Sequence, residues 1–327
     1  MGNDIKYMPE KLEQASNFAN KIWNAAKFIR MNAVSDEEVI KFSQENYNLE
    51  TNTYKDGSLK LEDKWIINKL NKLICEVTKN IENYDLGIAL DNIYAFIRDE
   101  FCDWYIEMCK SRIYSEDKQE KIRVCFVLDY VFGVSMKLLH PFMPFVTTEI
   151  YKNLVKYDDK DLMVSKWPAS KEVFNYDEEE KFIETIKETI VEIRNIRAKM
   201  NVHPTRKVEL IVVTSKYENQ IEESKGFIEK LGFGNKVTVQ KDKMGIKEDA
   251  VEIVKDGIEL YMPLEGLVDL EEERKRKENE KNRLIAEVAR CEKMLSNPGF
   301  INKAPQSKID EEKEKLEKYK DMLNKLQ

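Results

Sequence analysis

The segment NFANKIWNAAKFIRMN, residues 17–32, decides the character of the first part of the chain, because a helix through it has two different faces. Apolar residues recur at helical spacing, which predicts a core-facing stripe of Leu12, Ala15, Ala19, Ile22, Ala26 and Ile29. The opposite face holds amides, one cation, an aromatic ring and a methionine, contributed by Asn17, Asn20, Asn24, Lys27, Phe28 and Met31. Amide side chains both donate and accept hydrogen bonds, so this face suits unpaired nucleotide bases. The alternative, which composition alone favours, is that Phe28 and Met31 pack against a neighbouring helix.

Further amphipathic segments predict an antiparallel helical bundle that extends to about residue 155. They run from Trp65 to Ile81, from Ile88 to Met108 and from Val124 to Leu138. The last of them should end near His140, because Pro141 has no amide proton for a helix interior. Trp23 is predicted to be a core residue, and Asp103 a buried or half-buried partner for a helix amide or a nearby cation.

A change of pattern predicts a second, mixed α/β module. A long helix is expected at about 177–200, and the β-branched run KVELIVVT at 207–214 predicts a strand. Further short strands are predicted at 236–240, 251–255 and 258–262. Asp256 and Gly257 between the last two are a strong signal for a tight hairpin.

The end of the chain is charged helix with two apolar stripes at heptad spacing. The first stripe is Leu284, Val288, Cys291 and Leu295, and the second is Ile309, Leu316, Tyr319, Leu323 and Leu326. The helix breakers between them, Pro298, Gly299 and Pro305, predict an antiparallel coiled-coil hairpin. The predicted fold is therefore mainly α, with a helical bundle at 1–155, a small mixed α/β module at 156–265 and a coiled-coil hairpin at 266–327.

Charge and cysteine content exclude several classes of protein. The formal net charge is -7, so no global positive field attracts nucleic acid or an anionic membrane, and any RNA contact must be local. From Glu271 onward, 15 Lys and Arg stand against 13 Asp and Glu, so the hairpin is the more basic end. The 5 cysteines are far apart without a CxxC pair, which argues against a zinc module. With no signal peptide or membrane span in the pattern, they favour the reducing cytosol.

Several stretches resemble a known family. The opening GND, the run NFANKIWNAAKF, FCDWYIE at 101–107 and LLHPFMPFVTTEIY at 138–151 are similar to a helical anticodon-binding domain that isoleucine and leucine enzymes share. MPLEGLVDLEEE at 262–273 and LSNPGFINKAP at 295–305 resemble the coiled-coil arm of the valyl-tRNA synthetase family, which the whole chain therefore resembles. An isoleucine enzyme would be expected to end in a cysteine-rich zinc module instead.

This resemblance implies a protein that binds tRNA(Val) as a monomer, with neither DNA nor a membrane as partner. It places base stacking on Phe28, a phosphate contact on Lys27, and edge or backbone contacts on Asn20 and Asn24. Lys27 stands where many family members carry Arg, so a point charge replaces a planar two-point contact. At the tRNA elbow, where the D and T loops meet, it implies contacts from Arg283, Arg290, Lys293, Phe300 and Lys303. Phe300 could equally cap the apolar seam at the hairpin turn.

The resemblance also implies what this chain lacks. The family activates its amino acid with ATP through HIGH and KMSKS motifs, and neither motif occurs in this sequence. The two histidines, His140 and His203, are expected to be structural. The chain is therefore expected to be an inactive fragment that needs no cofactor, whereas the parent enzyme attaches valine to tRNA(Val) using ATP and Mg. The rival interpretation is a coiled-coil protein-interaction module without RNA binding, although each apolar stripe can be covered by the other within one chain.

Overall fold

The computed structural model describes residues 8–48, 53–55, 57–154, 161–171, 174–263, 270–296 and 306–324. These residues form helices and one small mixed sheet, besides a two-stranded hairpin. The predicted mainly α fold with a small mixed α/β part is confirmed. Within those ranges, no helix is long and apolar enough to cross a membrane.

The first part is a helical bundle. Its helices are α1 (Pro9–Asn32), α2 (Asp36–Asn46), α3 (Leu61–Glu82), α4 (Leu86–Ala95), α5 (Ile106–Ile113), α6 (Lys118–Leu139) and α7 (Pro144–Tyr151). Between α2 and α3, the antiparallel hairpin of β1 (Tyr47–Asn48) and β2 (Thr53–Tyr54) interrupts the helices. As predicted, α6 ends just before His140, and α7 begins at Pro144.

The core-facing side of α1 differs from the predicted stripe. Phe18, Ile22, Ala25 and Ile29 are its buried residues. Leu12 is 60% exposed and Ala15 is also exposed, so the prediction was wrong for both. The ring of Phe18 lies 4.5 Å from that of Tyr94, centroid to centroid. A buried phenylalanine removes far more apolar surface from water than a buried alanine. The face of α1 that carries Phe18 therefore packs against the bundle, in place of the face with the predicted alanines.

A π-helical segment, Phe96–Tyr105, joins α4 to α5 without a break in the helical path. Its buried residues are Phe96, Ile97, Phe101 and Tyr105. The wider π turn suits this four-residue spacing and keeps Phe101 and Tyr105 on the core side. As a result, Asp103 lies on the outer side of the segment, next to α1.

The small module is a four-stranded sheet with the order β4-β3-β6-β5. Its elements are β3 (Val208–Val213), β4 (Gly234–Gln240), β5 (Val251–Lys255), β6 (Ile258–Met262) and the helix α9 (Glu218–Leu231). β3 and β4 are parallel, which requires the crossover that α9 provides, and the remaining pairs are antiparallel. The predicted β5–β6 hairpin is confirmed, with Gly257 at a φ of 75°.

The helix α8 (Asp177–Lys199) contacts the bundle along α3. Trp65 Nε1 donates a hydrogen bond to Glu184 at 2.9 Å, and Asn68 Nδ2 donates to Asp177 at 3.0 Å. The buried apolar cluster runs without interruption from α1 to β6. α8 therefore joins the bundle to the sheet, and the sequence-based domain boundaries remain predictions.

The last two helices are α10 (Leu270–Leu295) and α11 (Gln306–Asn324), and they contact each other. Leu284, Cys291 and Ile309 are buried. Glu292 and Lys320 form an ion pair of 2.7 Å between the two helices.

Candidate nucleic-acid interface

The polar face of α1 is open to solvent. Asn20, Asn24 and Lys27 are exposed, and Met31 is 83% exposed. No other described helix covers these side chains, so they are available to a partner. The face exists because the large apolar residues of α1 lie on the opposite side of the helix, where they meet the bundle.

Phe28 lies at the edge of this face and is half-buried, in contact with the apolar core. The Nζ atom of Lys110, from α5, lies 5.8 Å from its ring centroid. Asn32 Nδ2 donates a hydrogen bond of 2.8 Å to the Phe28 carbonyl oxygen and so secures the end of the helix. A ring held on one side by protein and partly exposed on the other can stack on an unpaired base with little loss of side-chain entropy.

The surroundings of α1 correct two predictions. Trp23 is 42% exposed and not a core residue, because Ile22 takes the inward position in that turn. Asp103 forms an ion pair of 2.7 Å with Lys21, so a cation is its partner as predicted. Its side chain is 57% exposed, so the predicted burial is wrong.

No reactive thiol or histidine was found at the described part of this face. Burial raises the pKa of Cys102, beside Asp103, to about 12, so its thiol stays protonated at neutral pH. His140 is hydrogen-bonded through Nδ1 to Thr147 Oγ1 at 2.8 Å, and His203 makes the same kind of contact with Thr205. Among the residues described, no three His, Cys, Asp or Glu side chains are arranged to hold a metal ion.

The predicted elbow contacts divide into three groups. Arg283 and Lys293 are exposed on α10. Arg290 is engaged within the helix pair, with Nε donating to Glu287 at 2.8 Å and an Nη2 to Glu312 oxygen distance of 3.6 Å. Phe300 and Lys303 lie outside the described residues.

Sequence patterns did not reveal a group of cations around Glu107, one of which, Lys110, also contacts Phe28. Lys110 belongs to α5, Arg194 to α8 and Lys230 to α9, and helix packing brings them near Glu107. Lys110 and Lys230 are separated by more than a third of the chain, so no local pattern could have found the group.

Two family models match parts of this chain. Residues 63–212 match the family model described as the anticodon-binding domain of tRNA ligase, and residues 269–327 match the valyl tRNA synthetase tRNA binding arm. The chain belongs to the valyl-tRNA synthetase family. The valine–tRNA ligase of Clostridium acetobutylicum is 43% identical over 98% of this chain, and that of Clostridium perfringens is 42% identical over 98%. The enzyme of Bacillus subtilis is 36% identical over 97%.

The matched ranges cover only part of each relative and only some of the candidate site residues. The chain spans about a third of the length of these valyl-tRNA synthetases, or 35%. Arg283, Arg290 and Lys293 fall within the matched arm. The face of α1 precedes the residues that match the anticodon-binding model, so its assignment rests on the local geometry and on the resemblance noted above.

Proposed function

We propose that this chain is a tRNA-binding part of a valine–tRNA ligase and that its helical bundle recognises the anticodon loop. The observation that carries the proposal is the solvent-open face of α1, which presents Asn20, Asn24, Lys27 and part of Phe28 beside one another. Stacking of a base on an aromatic ring contributes about 1–3 kcal/mol, and amides can read base edges. Lys27 supplies a point charge for a nearby phosphate.

We assign a second tRNA contact to the segment 266–327, which contains α10 and α11. In this proposal the segment is an antiparallel coiled-coil arm that reaches the tRNA elbow. Three observations support this arm: the buried Leu284 and Cys291 on α10, the buried Ile309 on α11, and the ion pair between Glu292 and Lys320. Arg283 and Lys293 are exposed on it and would neutralise phosphates. The bundle at 1–155 and the module at 156–265 complete the proposed division.

This binding would serve the joining of valine to tRNA, which the name of its relatives states, and the family resemblance implies ATP and Mg for that reaction. The proposed ligand is thus tRNA(Val), bound by a monomer in the cytosol. The rival role as a protein-interaction module has no support from the two family models, both of which are described by tRNA ligase functions.

The test measures the affinity of the full 327-residue chain for three combinations of protein and RNA. They are the unchanged chain with tRNA(Val), the unchanged chain with a tRNA(Val) transcript of altered anticodon, and Phe28→Ala with tRNA(Val). We expect the altered anticodon and the Phe28→Ala substitution each to weaken binding about tenfold, as loss of one stacked base implies. Equal affinity in all three would remove the anticodon assignment.

A further inference from the structure

The helix α5 lies between the predicted anticodon site and the sheet module. On one side, Lys110 reaches the Phe28 ring of α1. On the other, α9 packs against α5 where Gly226 comes next to the Ser111 hydroxyl. Lys230 lies one helical turn beyond Gly226, on the side of α9 that faces α5. A continuous surface therefore connects Phe28 with the end of α9.

This surface carries more positive than negative charge. Glu107 forms an ion pair with Lys110, and Lys230 and Arg194 both lie within electrostatic range of the same carboxylate. Three cations thus share Glu107. By contrast, Lys69 and Lys187 are balanced by Glu100 and Glu184, in contacts of 2.5–3.5 Å.

The surroundings of Arg194 and Lys230 favour the binding of an anion, because both cations are partly buried. Burial lowers the pKa of Lys230, and the neighbouring charge of Lys110 lowers it further, against the effect of Glu107. Burial also lowers the pKa of Arg194, although Glu107 opposes this. A cation that has lost water without gaining a full counter-charge is stabilised when an anion approaches.

Arg194 is also held in position. Its Nε donates a hydrogen bond of 3.1 Å to the carbonyl oxygen of Leu231, the last residue of α9, and its guanidinium lies 5.5 Å from the centroid of Trp104. A planar guanidinium that is fixed by a ring and a carbonyl loses little entropy when it binds a phosphate.

We propose that Lys110, Arg194 and Lys230 form a phosphate-binding strip that carries the RNA backbone from the base stacked on Phe28 across α5 onto α9. This inference rests on the proposed function, because Phe28 fixes where the RNA starts. The strip also implies that the sheet module contributes directly to RNA binding, which the proposed function does not state. An RNA backbone fits the strip because each of its phosphates brings an anion to cations that have only Glu107 as a shared counter-charge.

The experiment compares Lys110→Gln and Lys230→Gln with Lys225→Gln, all in the full chain. Lys225 is the matched control, because it lies on α9, about 100° around the helix from Gly226, and pairs with Glu222 at 2.6 Å. Affinity is measured for tRNA(Val) and for its isolated anticodon stem-loop, from about 50 to about 200 mM salt. Thermal unfolding of each variant checks that the fold is retained, and Lys230→Arg tests rescue by charge.

We expect Lys110→Gln and Lys230→Gln each to lower the slope of log affinity against log salt by about one, for both RNAs. The affinity advantage of the unchanged chain then shrinks about fourfold across this salt range. Lys225→Gln should bind like the unchanged chain, and Lys230→Arg should keep the slope.

The outcomes separate this inference from the proposed function. If Phe28→Ala weakens binding while Lys110→Gln and Lys230→Gln keep the full affinity and slope, the strip is wrong and the anticodon site stands. If the strip variants lose affinity while Phe28→Ala does not, the backbone path stands and the stacking assignment fails. Failure of the unchanged chain to bind tRNA would overturn both.

Discussion

Arg112 and Asp63 are joined by two parallel hydrogen bonds, 2.7 Å from Nη1 to Oδ1 and 2.8 Å from Nη2 to Oδ2, where the Asp63 side chain has 0% exposure. Asp63 also accepts hydrogen bonds from the Tyr105 hydroxyl at 2.8 Å and from the Lys60 amide at 3.0 Å. The pair ties α3 to α5, the helix that also carries Lys110. It therefore holds the proposed RNA-binding surface in place.

Removal of this cation should destabilise the bundle strongly. Arg112→Met leaves a fully buried carboxylate without its partner, and we expect a loss of about 3–5 kcal/mol of unfolding free energy. The midpoint of urea denaturation measures it. Lys41→Met is the control, because Lys41 and Glu45 are exposed and 3.7 Å apart, and should cost under about 0.5 kcal/mol. Similar losses in both variants would contradict the role given to Arg112.

Two adjacent carboxylates near Arg112 should respond oppositely to neutralisation. Burial, with a smaller effect of the Asp63 charge, raises the pKa of Glu62 against the attraction of Arg112. Asp63 is also buried, but Arg112 and the Lys60 and Tyr105 hydrogen bonds outweigh burial and lower its pKa. We expect Glu62→Gln to leave the unfolding free energy at pH 7 unchanged or higher, and Asp63→Asn to reduce it by about 3 kcal/mol or more.

The pH dependence follows from the same directions. The stabilising contribution of Asp63 is present above its unfolded pKa of about 3.9 and is lost as pH falls through its lowered folded pKa. That of Glu62 is present below about 4.3 and is lost as pH rises through its raised folded pKa. As pH rises from about 4.3 to neutral, the unchanged chain should lose the part of its unfolding free energy that protonated Glu62 contributes, and Glu62→Gln should remove this loss. A decrease in stability as large as that of Asp63→Asn would show that Glu62 is stabilising when ionised.

Neighbouring residues of α1 should differ sharply in their cost. Ile22 is 0% exposed, so Ile22→Ala should lower the unfolding free energy by about 2–5 kcal/mol. Trp23 is 42% exposed, and Trp23→Ala should cost no more than about 1 kcal/mol. Chemical denaturation of the two variants compares them directly. A larger loss for Trp23→Ala would mean that Trp23 belongs to the core, as the sequence predicted.

The β5–β6 hairpin should tolerate no side chain at its turn. Gly257 has a φ of 75°, and an added Cβ would lie 3.0 Å from Tyr217. Gly57 has a φ of 76° with nothing within 4 Å, so Gly57→Ala reports the backbone strain alone, about 1–2 kcal/mol. Gly257→Ala should lower the unfolding free energy more than Gly57→Ala does, because its Cβ also crowds Tyr217. Thermal unfolding of the two variants measures the difference, and equal costs would mean that Tyr217 moves aside freely.

The arm should act only on the part of the tRNA outside the anticodon stem. Lys293 is exposed, so Lys293→Gln should lower the salt slope for whole tRNA(Val) by about one without changing affinity for the isolated anticodon stem-loop. Arg290→Gln should in addition lower the melting temperature, because Arg290 pairs with Glu287 and lies near Glu312. Equal effects of Lys293→Gln on both RNAs would place the arm elsewhere.

The sequence by itself determined the helices and strands whose residues act through local chemistry. The end of α6 follows from the missing amide proton of Pro141, and the β5–β6 hairpin from the positive φ that glycine adopts at Gly257. The polar face of α1 was also readable, because helical spacing alone places Asn20, Asn24 and Lys27 together. Motifs along the chain were enough to indicate the family.

Only the tertiary structure decided which side of α1 is buried and what surrounds Phe28. The stripe predicted from periodicity included Leu12 and left out Phe18, whereas in the structure Phe18 packs against Tyr94 in the core and Leu12 is exposed. Lys110, Arg194 and Lys230 come together through the packing of three helices that are distant in sequence. Cations that are distant in sequence become neighbours only through contacts between helices, and the local spacing of residues does not predict those contacts.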